Sequence, residues 1–297
     1  MTGKEMLGFG EDILRGVGIV ECRQDAWILY SDVTGQDMGE YLMHEDDEIS
    51  PETREKFRIL IKKRAEHVPV QYILGHQSFM GIDFKVTPDV LIPRADTEVL
   101  VEKASGVLKD GMRVLDMCTG SGCILISLLY GRTGIEGMGC DISKSAINIA
   151  RENAAANAVP AEFFVSDMFE NVSGNFDMIL SNPPYIAREQ IADLMPEVRD
   201  FEPQVALCGG ERGLDYYEII AAKAPEYLNE GGRLFLEVGY DQADAVRHML
   251  SDNGLGDIEI TKDLAGMDRV VSAVYSEASE SGTPSESRFP IGDNKDE

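Results

Sequence analysis

The pattern of hydrophobic and polar positions changes character near residue 94. Beyond that point, short apolar runs typical of buried strands alternate with stretches in which apolar residues recur at helical spacing. The predicted strands are 113–118, 136–141, 162–166, 176–181, 232–238, 257–261 and 269–275, and the predicted helices are 96–108, 121–131, 143–157, 214–228 and 241–252. This alternation predicts an α/β fold with a doubly wound, seven-stranded, mostly parallel sheet. No helix separates the last two strands, so we expect them to pair antiparallel.

The first 78 residues carry helical patterns and little sign of strands. Helical spacing is visible around 5–19 and 24–31. Ser50 and Pro51 are residue types preferred at a helix N-cap and in the first turn. The pattern therefore predicts a small N-terminal helical domain over 1–78.

Three further segments complete the predicted organisation. Partial alternation of apolar residues over 79–93 predicts a β-hairpin linker, with Gly81 and Pro88-Asp89 as its turn points. The α/β domain follows over 94–275. The last residues, 276–297, are acidic and rich in Ser, Gly and Pro, with few apolar groups to pack, and we predict that they form a disordered tail.

The composition describes a strongly acidic globular protein. The 297 residues include 27 Lys and Arg against 53 Asp and Glu, a formal net charge of −26. Because nucleic-acid binding depends on cations that meet phosphates, this balance disfavours direct binding to nucleic acid, whereas a protein partner with a basic face is compatible with it. No apolar run has the length of a membrane span and no secretory signal is visible, so we expect a cytoplasmic protein without membrane contact. The five cysteines and four histidines show no metal-ligand spacing, so we predict no metal site.

A glycine-containing turn follows the first predicted strand of the α/β domain. The residues around it that we predict to contact a cofactor are Asp116, Cys118, Thr119, Gly120, Ser121 and Gly122. Glycines let the backbone approach a ligand closely. The third glycine of a dinucleotide-binding turn is replaced by Leu125, and Asp116 would repel a phosphate. An acid in this place fits a cationic ligand such as a sulfonium amino acid, although Asp116 taken alone would fit a helix or loop cap equally well.

Two further acids follow the next two predicted strands. Asp141 ends the second strand, 19 residues past Gly122, where an acid binds ribose hydroxyls in nucleotide-binding folds. Asp167 follows the third strand, where it or its neighbour Met168 could meet an adenine amine. Since open α/β sheets bind ligands at the carboxyl ends of their strands, we predict that these residues share one cofactor site.

The tetrapeptide Asn182-Pro183-Pro184-Tyr185 follows the fourth predicted strand. Two prolines fix φ and lack N–H donors, so the loop is stiff and exposes the Asn182 side-chain oxygen and the Pro183 carbonyl as acceptors. This pair can accept both N–H bonds of a planar –NH2 group, with Tyr185 packed on the substrate. A strand-ending turn is the alternative interpretation. The position after three strand-end acids favours a substrate site.

These residues resemble class I S-adenosylmethionine-dependent methyltransferases, and more closely the release factor glutamine methyltransferase family, over about 68–275. The segments that carry the resemblance are 69–75, 90–98, 115–122, 181–186, 201–203, 209–210 and 213–217. The blocks Leu-Ile-Pro-Arg at 91–94 and Asn-Pro-Pro-Tyr-Ile at 182–186 are specific in combination. The chain departs from the family pattern at Cys118, where the family has glycine, and at Met168, where an aromatic residue often flanks the adenine.

The resemblance implies S-adenosylmethionine as the cofactor and class 1 peptide chain release factors as protein substrates, methylated on the side-chain amide nitrogen N5 of the glutamine in their Gly-Gly-Gln motif. The implied cofactor contacts are Thr119, Gly120, Gly122, Asp141, Met168 and Asn182. The implied substrate contacts are Asn182, Pro183, Pro184 and Tyr185. Asn182, Pro183 and Tyr185 are the predicted catalytic residues, and the N-terminal helical domain is the predicted substrate-recognition domain.

Other functions are compatible with parts of this pattern. Methylation of an exocyclic amine on adenine or guanine in nucleic acid is the main alternative, because that amine is also a planar –NH2 group. Such an enzyme should carry a basic stripe, and this chain is strongly acidic. A cofactor-binding module without catalysis would not need an intact Asn-Pro-Pro-Tyr. A nicotinamide oxidoreductase is disfavoured by Leu125 and Asp116.

Overall fold

The computed structural model describes residues 1–276, so the predicted tail lies outside the described residues except for Ser276. The N-terminal helices are α1 Gly3–Gly16, α2 Cys22–Thr34, α3 Met38–His44, α4 Pro51–Ala65 and α5 Val70–Leu74. They enclose a core of their own that includes the buried side chains of Tyr30, Phe57 and Ile61. The helices predicted near 5–19, near 24–31 and from Ser50 are confirmed, whereas α3 and α5 are too short for their periodicity to identify them.

Local side chains explain where these helices begin. The Thr2 hydroxyl accepts the Glu5 N–H and the Glu5 carboxylate accepts the Thr2 N–H, which forms a capping box before α1. The Ser50 hydroxyl accepts the Thr53 N–H, and Pro51 occupies the first turn of α4, as the sequence predicts.

The hairpin lies slightly earlier in the chain than predicted. Its strands are β1 His76–Phe79 and β2 Ile82–Lys85, and the second half of the predicted 79–93 linker is not a strand. The turn is Met80-Gly81, with both residues at positive φ, 51° and 73°. A two-residue turn of this kind matches the twist of the strands, and it leaves Pro88-Asp89 outside the hairpin.

The large sheet of the α/β domain confirms the predicted fold class. Its strands are β3 Arg113–Met117, β4 Glu136–Asp141, β5 Ala161–Val165, β6 Phe176–Ser181, β7 Leu228–Glu237, β8 Leu255–Lys262 and β9 Asp268–Tyr275. They lie in the order β5-β4-β3-β6-β7-β9-β8, and β9 pairs antiparallel with both neighbours while the other pairs are parallel. Met117 pairs with Cys140 on one side and Ser181 on the other, so these strands end at one level.

Helices cover both faces of the sheet. The helices of this domain are α6 Ala95–Ser105, α7 Cys123–Leu129, α8 Lys144–Ala156, α9 Pro196–Phe201, α10 Gln204–Leu207, α11 Asp215–Tyr227 and α12 Ala243–Asp252, together with a 3-10 helix at Arg188–Asp193. The apolar residues of α6, α7 and α8 pack with one face, and those of α11 and α12 pack with the other. The short helices between 188 and 207 were not predicted. None of the helices within residues 1–276 is long and apolar enough to cross a membrane.

Candidate active site

A pocket opens at the carboxyl ends of the parallel strands β3, β4, β5 and β6. The predicted site residues that line it are Cys118, Gly120, Asp141, Asp167, Met168, Asn182 and Pro184. The predicted site residues outside its lining are Asp116, Thr119, Ser121, Gly122, Pro183 and Tyr185. The pocket has further lining residues that were not predicted as site residues, among them Val90, Ile142, Val205, Ala206 and Tyr216. The acids after β4 and β5 therefore share one cavity with the asparagine after β6.

Asp141 ties the glycine turn to the end of β4. One carboxylate oxygen, Oδ2, accepts the Gly120 N–H at 2.9 Å, and the other, Oδ1, accepts the Ser143 N–H at 2.8 Å. Burial raises the pKa of Asp141, and these two N–H donors oppose that rise by stabilising the charged form. Each carboxylate oxygen keeps acceptor capacity, so Asp141 can still bind ligand hydroxyl groups from the pocket wall.

Asp116 has a different place from the expected one. Its side chain is completely buried under the turn, so it does not present a charge to a ligand in the pocket. The Thr119 hydroxyl donates to Asp116 Oδ2 at 2.6 Å, and burial raises the pKa of Asp116 to about 7. Asp116 therefore holds the turn from below, which is the capping role that the sequence left open.

Two non-glycine residues in the pocket wall adopt the left-handed region of backbone conformation. Cys118 has φ of 57° and Met168 has φ of 46°. The sulfur atoms of these residues lie 4.0 Å apart. A side chain in this region costs about 1–2 kcal/mol, which explains why glycine suits position 118 in the family pattern. The turn keeps its course with cysteine, at the expense of some stability.

Asn182 has its side-chain amide oriented by a neighbouring helix. Its Nδ2 donates to the hydroxyl of Thr97, on α6, at 3.3 Å. This contact leaves the side-chain oxygen of Asn182 as the group available to accept a hydrogen bond in the pocket. Pro183 is buried, and the half-buried Tyr185 donates its hydroxyl to Glu237 at 3.4 Å instead of lining the pocket.

Glycines after α10 hold the back of the Asn-Pro-Pro-Tyr loop. A Cβ added at Gly209 would lie 2.6 Å from the Pro184 carbonyl oxygen, and one added at Gly213 would lie 2.2 Å from the Tyr185 carbonyl oxygen. Side chains do not fit at such distances. The close backbone approach explains the glycines at 209 and 213, and it keeps the loop against the carboxyl end of β6.

Glu237 and Thr97 contact the Asn-Pro-Pro-Tyr loop from outside the pocket lining, and no role was predicted for them. Glu237 ends β7 and is 2% exposed, and burial raises its pKa to about 7. The Tyr185 hydroxyl donates to its carboxyl group, and Thr97, Tyr185 and the positive charge of Arg269 oppose that rise. An acid at the end of an apolar strand is the signal that identified Asp141, and the same rule applied to 232–238 would have found Glu237.

Segments remote in sequence support the pocket walls. The Tyr72 hydroxyl, from α5, donates to the Val90 carbonyl at 2.6 Å. Arg94 forms an ion pair with the buried Glu202, just before the pocket residue Pro203. The blocks 69–75, 90–98 and 201–203 thus meet around one cavity, although they are far apart along the chain.

The chemistry of the pocket suits a nucleoside with a flat aromatic base and no phosphate. None of the lining residues within 1–276 is a lysine, arginine or histidine. Asp141 offers acceptors for ribose hydroxyls, and Met168, Val205 and Ala206 offer apolar surface for a flat ring. Gly120 allows close approach of the backbone. These residues fit the S-adenosylmethionine that the resemblance implies.

The fold and the site together define a class I methyltransferase. The family model Methyltransferase small domain matches residues 95–197, and the model PrmC N-terminal domain matches residues 5–75. A methyltransferase from Pyrococcus furiosus superposes with a TM-score of 0.52 at 16% identity, over 67% of this chain and 91% of that one. That likeness concerns the fold alone.

The relatives narrow this class. The chain is 41% identical over 271 residues to the release factor glutamine methyltransferase of Geobacter sulfurreducens, and the aligned region covers 91% of this chain and 95% of that protein. It is 43% identical over 263 residues to the release factor glutamine methyltransferase of Rhodospirillum rubrum, which covers 88% and 81%. The chain belongs to the release factor glutamine methyltransferase family.

Replacing Asp116 should change how stability depends on pH. Its folded pKa of about 7 lies above the ordinary value of 3.8, so the folded state holds a proton that the unfolded chain has lost between these pH values. The protonated Asp116 therefore contributes to the free energy of unfolding. This contribution is complete below the ordinary pKa of 3.8, declines as pH rises above it, and is lost once pH has passed about 7. Asp116→Asn removes the titration, keeps an acceptor for Thr119, and should flatten the decline by an amount on the order of 4 kcal/mol.

Denaturant unfolding at a series of pH values from about 4 to 8 measures this slope. Asp110→Asn, at an exposed acid, is the control and should keep the wild-type slope. If Asp116→Asn also kept it, Asp116 would not be the buried proton carrier.

Proposed function

We propose that this protein transfers a methyl group from S-adenosylmethionine to the side-chain amide nitrogen N5 of the glutamine in the Gly-Gly-Gln motif of class 1 peptide chain release factors. The observation that carries the proposal is that Asn182, with its amide held by Thr97, lines the same pocket as Asp141. A site for a planar amide and a site for a nucleoside are therefore contiguous. The names of the relatives, release factor glutamine methyltransferases, support the substrate.

The cofactor site uses groups from three strand ends. Asp141 would bind the ribose hydroxyls, while Asp167 and Met168 would meet the adenine, and Gly120 would allow the backbone to approach. When bound, S-adenosylmethionine supplies an activated methyl group on a positively charged sulfur. Thr119, Ser121 and Gly122 shape the turn from outside the lining, so we assign them a supporting role.

The amide of the substrate requires help because its nitrogen lone pair is delocalised into the carbonyl. The Asn182 side-chain oxygen would accept one N–H bond of that amide, and the carbonyl of Pro183, a residue that is buried outside the pocket lining, would accept the other at the edge of the pocket. Both hydrogen bonds strengthen as positive charge develops on the nitrogen, so they favour the transition state over the bound substrate. Holding the nitrogen in place also removes an entropic barrier, worth about 7–11 kcal/mol in favourable cases. The new nitrogen–carbon bond would form as the carbon–sulfur bond breaks, the sulfur would keep that electron pair as a neutral thioether, and the extra proton on nitrogen would pass to water.

Tyr185 would act from behind the loop. Its hydroxyl is engaged by Glu237 and its carbonyl accepts Gln242 Nε2 at 2.9 Å, so both ends of the residue are fixed. A fixed Tyr185 limits the movement of Pro183 and Pro184, and the ring edge would pack on substrate that enters over the loop.

The N-terminal helices would recognise the release factor. Three apolar side chains on α3 are well exposed, Met38 at 50%, Leu42 at 64% and Met43 at 73%. Acids surround them at Glu40 and at 45–48. A partner with a basic rim around an apolar patch would complement this surface. We propose the N-terminal helical domain, predicted over 1–78, as the recognition domain on these grounds; its last helix, α5, ends at Leu74.

Acceptor identity is the direct test of the proposed function. The wild-type protein is incubated with labelled S-adenosylmethionine and a release factor, with DNA and tRNA as parallel acceptors, and peptides are analysed by mass spectrometry. We expect label on the glutamine of the Gly-Gly-Gln motif. Label on nucleic acid with an unmodified release factor would instead support the exocyclic-amine alternative.

Asn182→Ala should remove most turnover while much of the cofactor affinity remains. The side-chain oxygen acts on the developing charge, so its loss should lower kcat about 100-fold or more. Calorimetry of cofactor binding and initial rates of release factor methylation measure the two effects in parallel. Asn253→Ala, after α12 and outside the pocket, is the control. Near-normal turnover of Asn182→Ala would refute the assignment.

The double variant Leu42→Ser with Met43→Ser tests the recognition surface. Loss of two apolar contacts should raise KM for the intact release factor about tenfold, with kcat and cofactor affinity unchanged. Ile219→Ser removes an exposed apolar side chain from α11 and serves as the matched control. An unchanged KM in the double variant would remove α3 from the proposed contact.

A further inference from the structure

A buried carboxyl group lies behind the Asn-Pro-Pro-Tyr loop. Glu237 is 2% exposed, and within residues 1–276 its carboxylate oxygen Oε2 has no hydrogen-bond partner. Leaving such an oxygen without a partner is costly, so a fold keeps this group only where something else depends on it. The groups that act on this carboxyl group are Thr97, Arg269, Asp96 and Tyr185, and of these Thr97 and Tyr185 lead back to the loop.

Thr97 stands between Glu237 and Asn182. It lies in the first turns of α6 and is 3% exposed. Its hydroxyl accepts the Asn182 Nδ2 hydrogen at 3.3 Å and also favours the ionised form of Glu237 by hydrogen bonding. A hydroxyl has one hydrogen and two lone pairs. When the Thr97 hydroxyl turns its hydrogen toward the Glu237 carboxyl group, its lone pairs face Asn182, and it cannot donate to the asparagine.

The direction in which the Thr97 hydroxyl points decides which end of the Asn182 amide faces the substrate. An amide has a donor end and an acceptor end of nearly equal size, and it can rotate by half a turn within the same space. Only the oxygen can accept an N–H bond from a substrate amide. The rotated form would place N–H groups against the N–H groups of the substrate.

We propose that Thr97 is a positioning residue: its hydroxyl, next to the buried Glu237, accepts from the Asn182 amide and fixes that amide with its oxygen toward the substrate amide. The inference rests on the proposed function, because the need for an acceptor follows from a substrate that brings an –NH2 group. Tyr185 belongs to the same arrangement, since its hydroxyl reaches the same carboxyl group.

Thr97→Val replaces the hydroxyl by a methyl group of similar size and tests the role directly. We expect kcat for release factor methylation to fall about tenfold, as for the loss of one orienting hydrogen bond, while cofactor affinity stays within twofold. Thr97→Ser keeps the hydroxyl and should stay within about threefold of wild type. Thr261→Val, on β8 and outside the pocket, should leave both values unchanged. A wild-type kcat for Thr97→Val would overturn the proposal.

A double-variant cycle separates positioning from a general effect on packing. If Thr97 acts through Asn182, then Thr97→Val added to Asn182→Ala should lower the residual kcat no further. The same tenfold loss in both backgrounds would show that Thr97 acts by another route, and the proposal would fail.

Nuclear magnetic resonance provides a test that does not depend on turnover. In protein labelled with 15N at asparagine, the Asn182 side-chain N–H signals should show slow hydrogen exchange in wild type and in Thr97→Ser, and fast exchange in Thr97→Val. Equal exchange in all three would overturn the proposed contact. Failure of the proposed function alone would look different: wild type would not methylate release factors, while the Asn182 signals would still respond to Thr97→Val.

Discussion

The common level at which the parallel strands end is the constraint on which the rest of this structure depends. Met117, Cys140 and Ser181 pair across β4, β3 and β6, so the residues that follow them enter one space. The glycine turn, Asp141 and Asn182 are far apart in sequence and become neighbours only through this register. A shift in the register of one strand would separate the glycine turn and Asp141 from Asn182.

The two halves of the site are supported by the same physical device. A carboxyl group is buried beneath each loop, with a threonine next to it. The Thr119 hydroxyl donates to Asp116 under the glycine turn, and Thr97 lies next to Glu237 beside the asparagine. Burial raises both pKa values to about 7. Burying these carboxyl groups is unfavourable, but hydrogen bonds in a buried environment are stronger than at the surface, so the groups that contact each acid are held firmly.

Ion pairs join the helical domain to the pocket walls. Arg64 of α4 is buried, and it donates to Asp25 of α2 at 2.7 Å and to Glu197 of α9 at 2.8 Å. The segment that follows α9 includes Glu202, held by Arg94, and leads to pocket residues at 203–206. Removing one partner would leave a buried charge unpaired, so these pairs fix the position of the segment. The N-terminal helical domain and the pocket wall are thereby mechanically connected.

Hydrophobic periodicity alone determined the seven strands, the long helices and the antiparallel end of the sheet, because each depends on residues close together in sequence. The same local patterns placed Asp141 and Asn182 at strand ends. Only the tertiary structure decided that Asp116 is buried, that the hairpin begins at His76, and that Thr97 and Glu237 contact Asn182 and Tyr185. Burial and hydrogen-bond partners depend on residues remote in the chain, and a sequence pattern does not contain those distances.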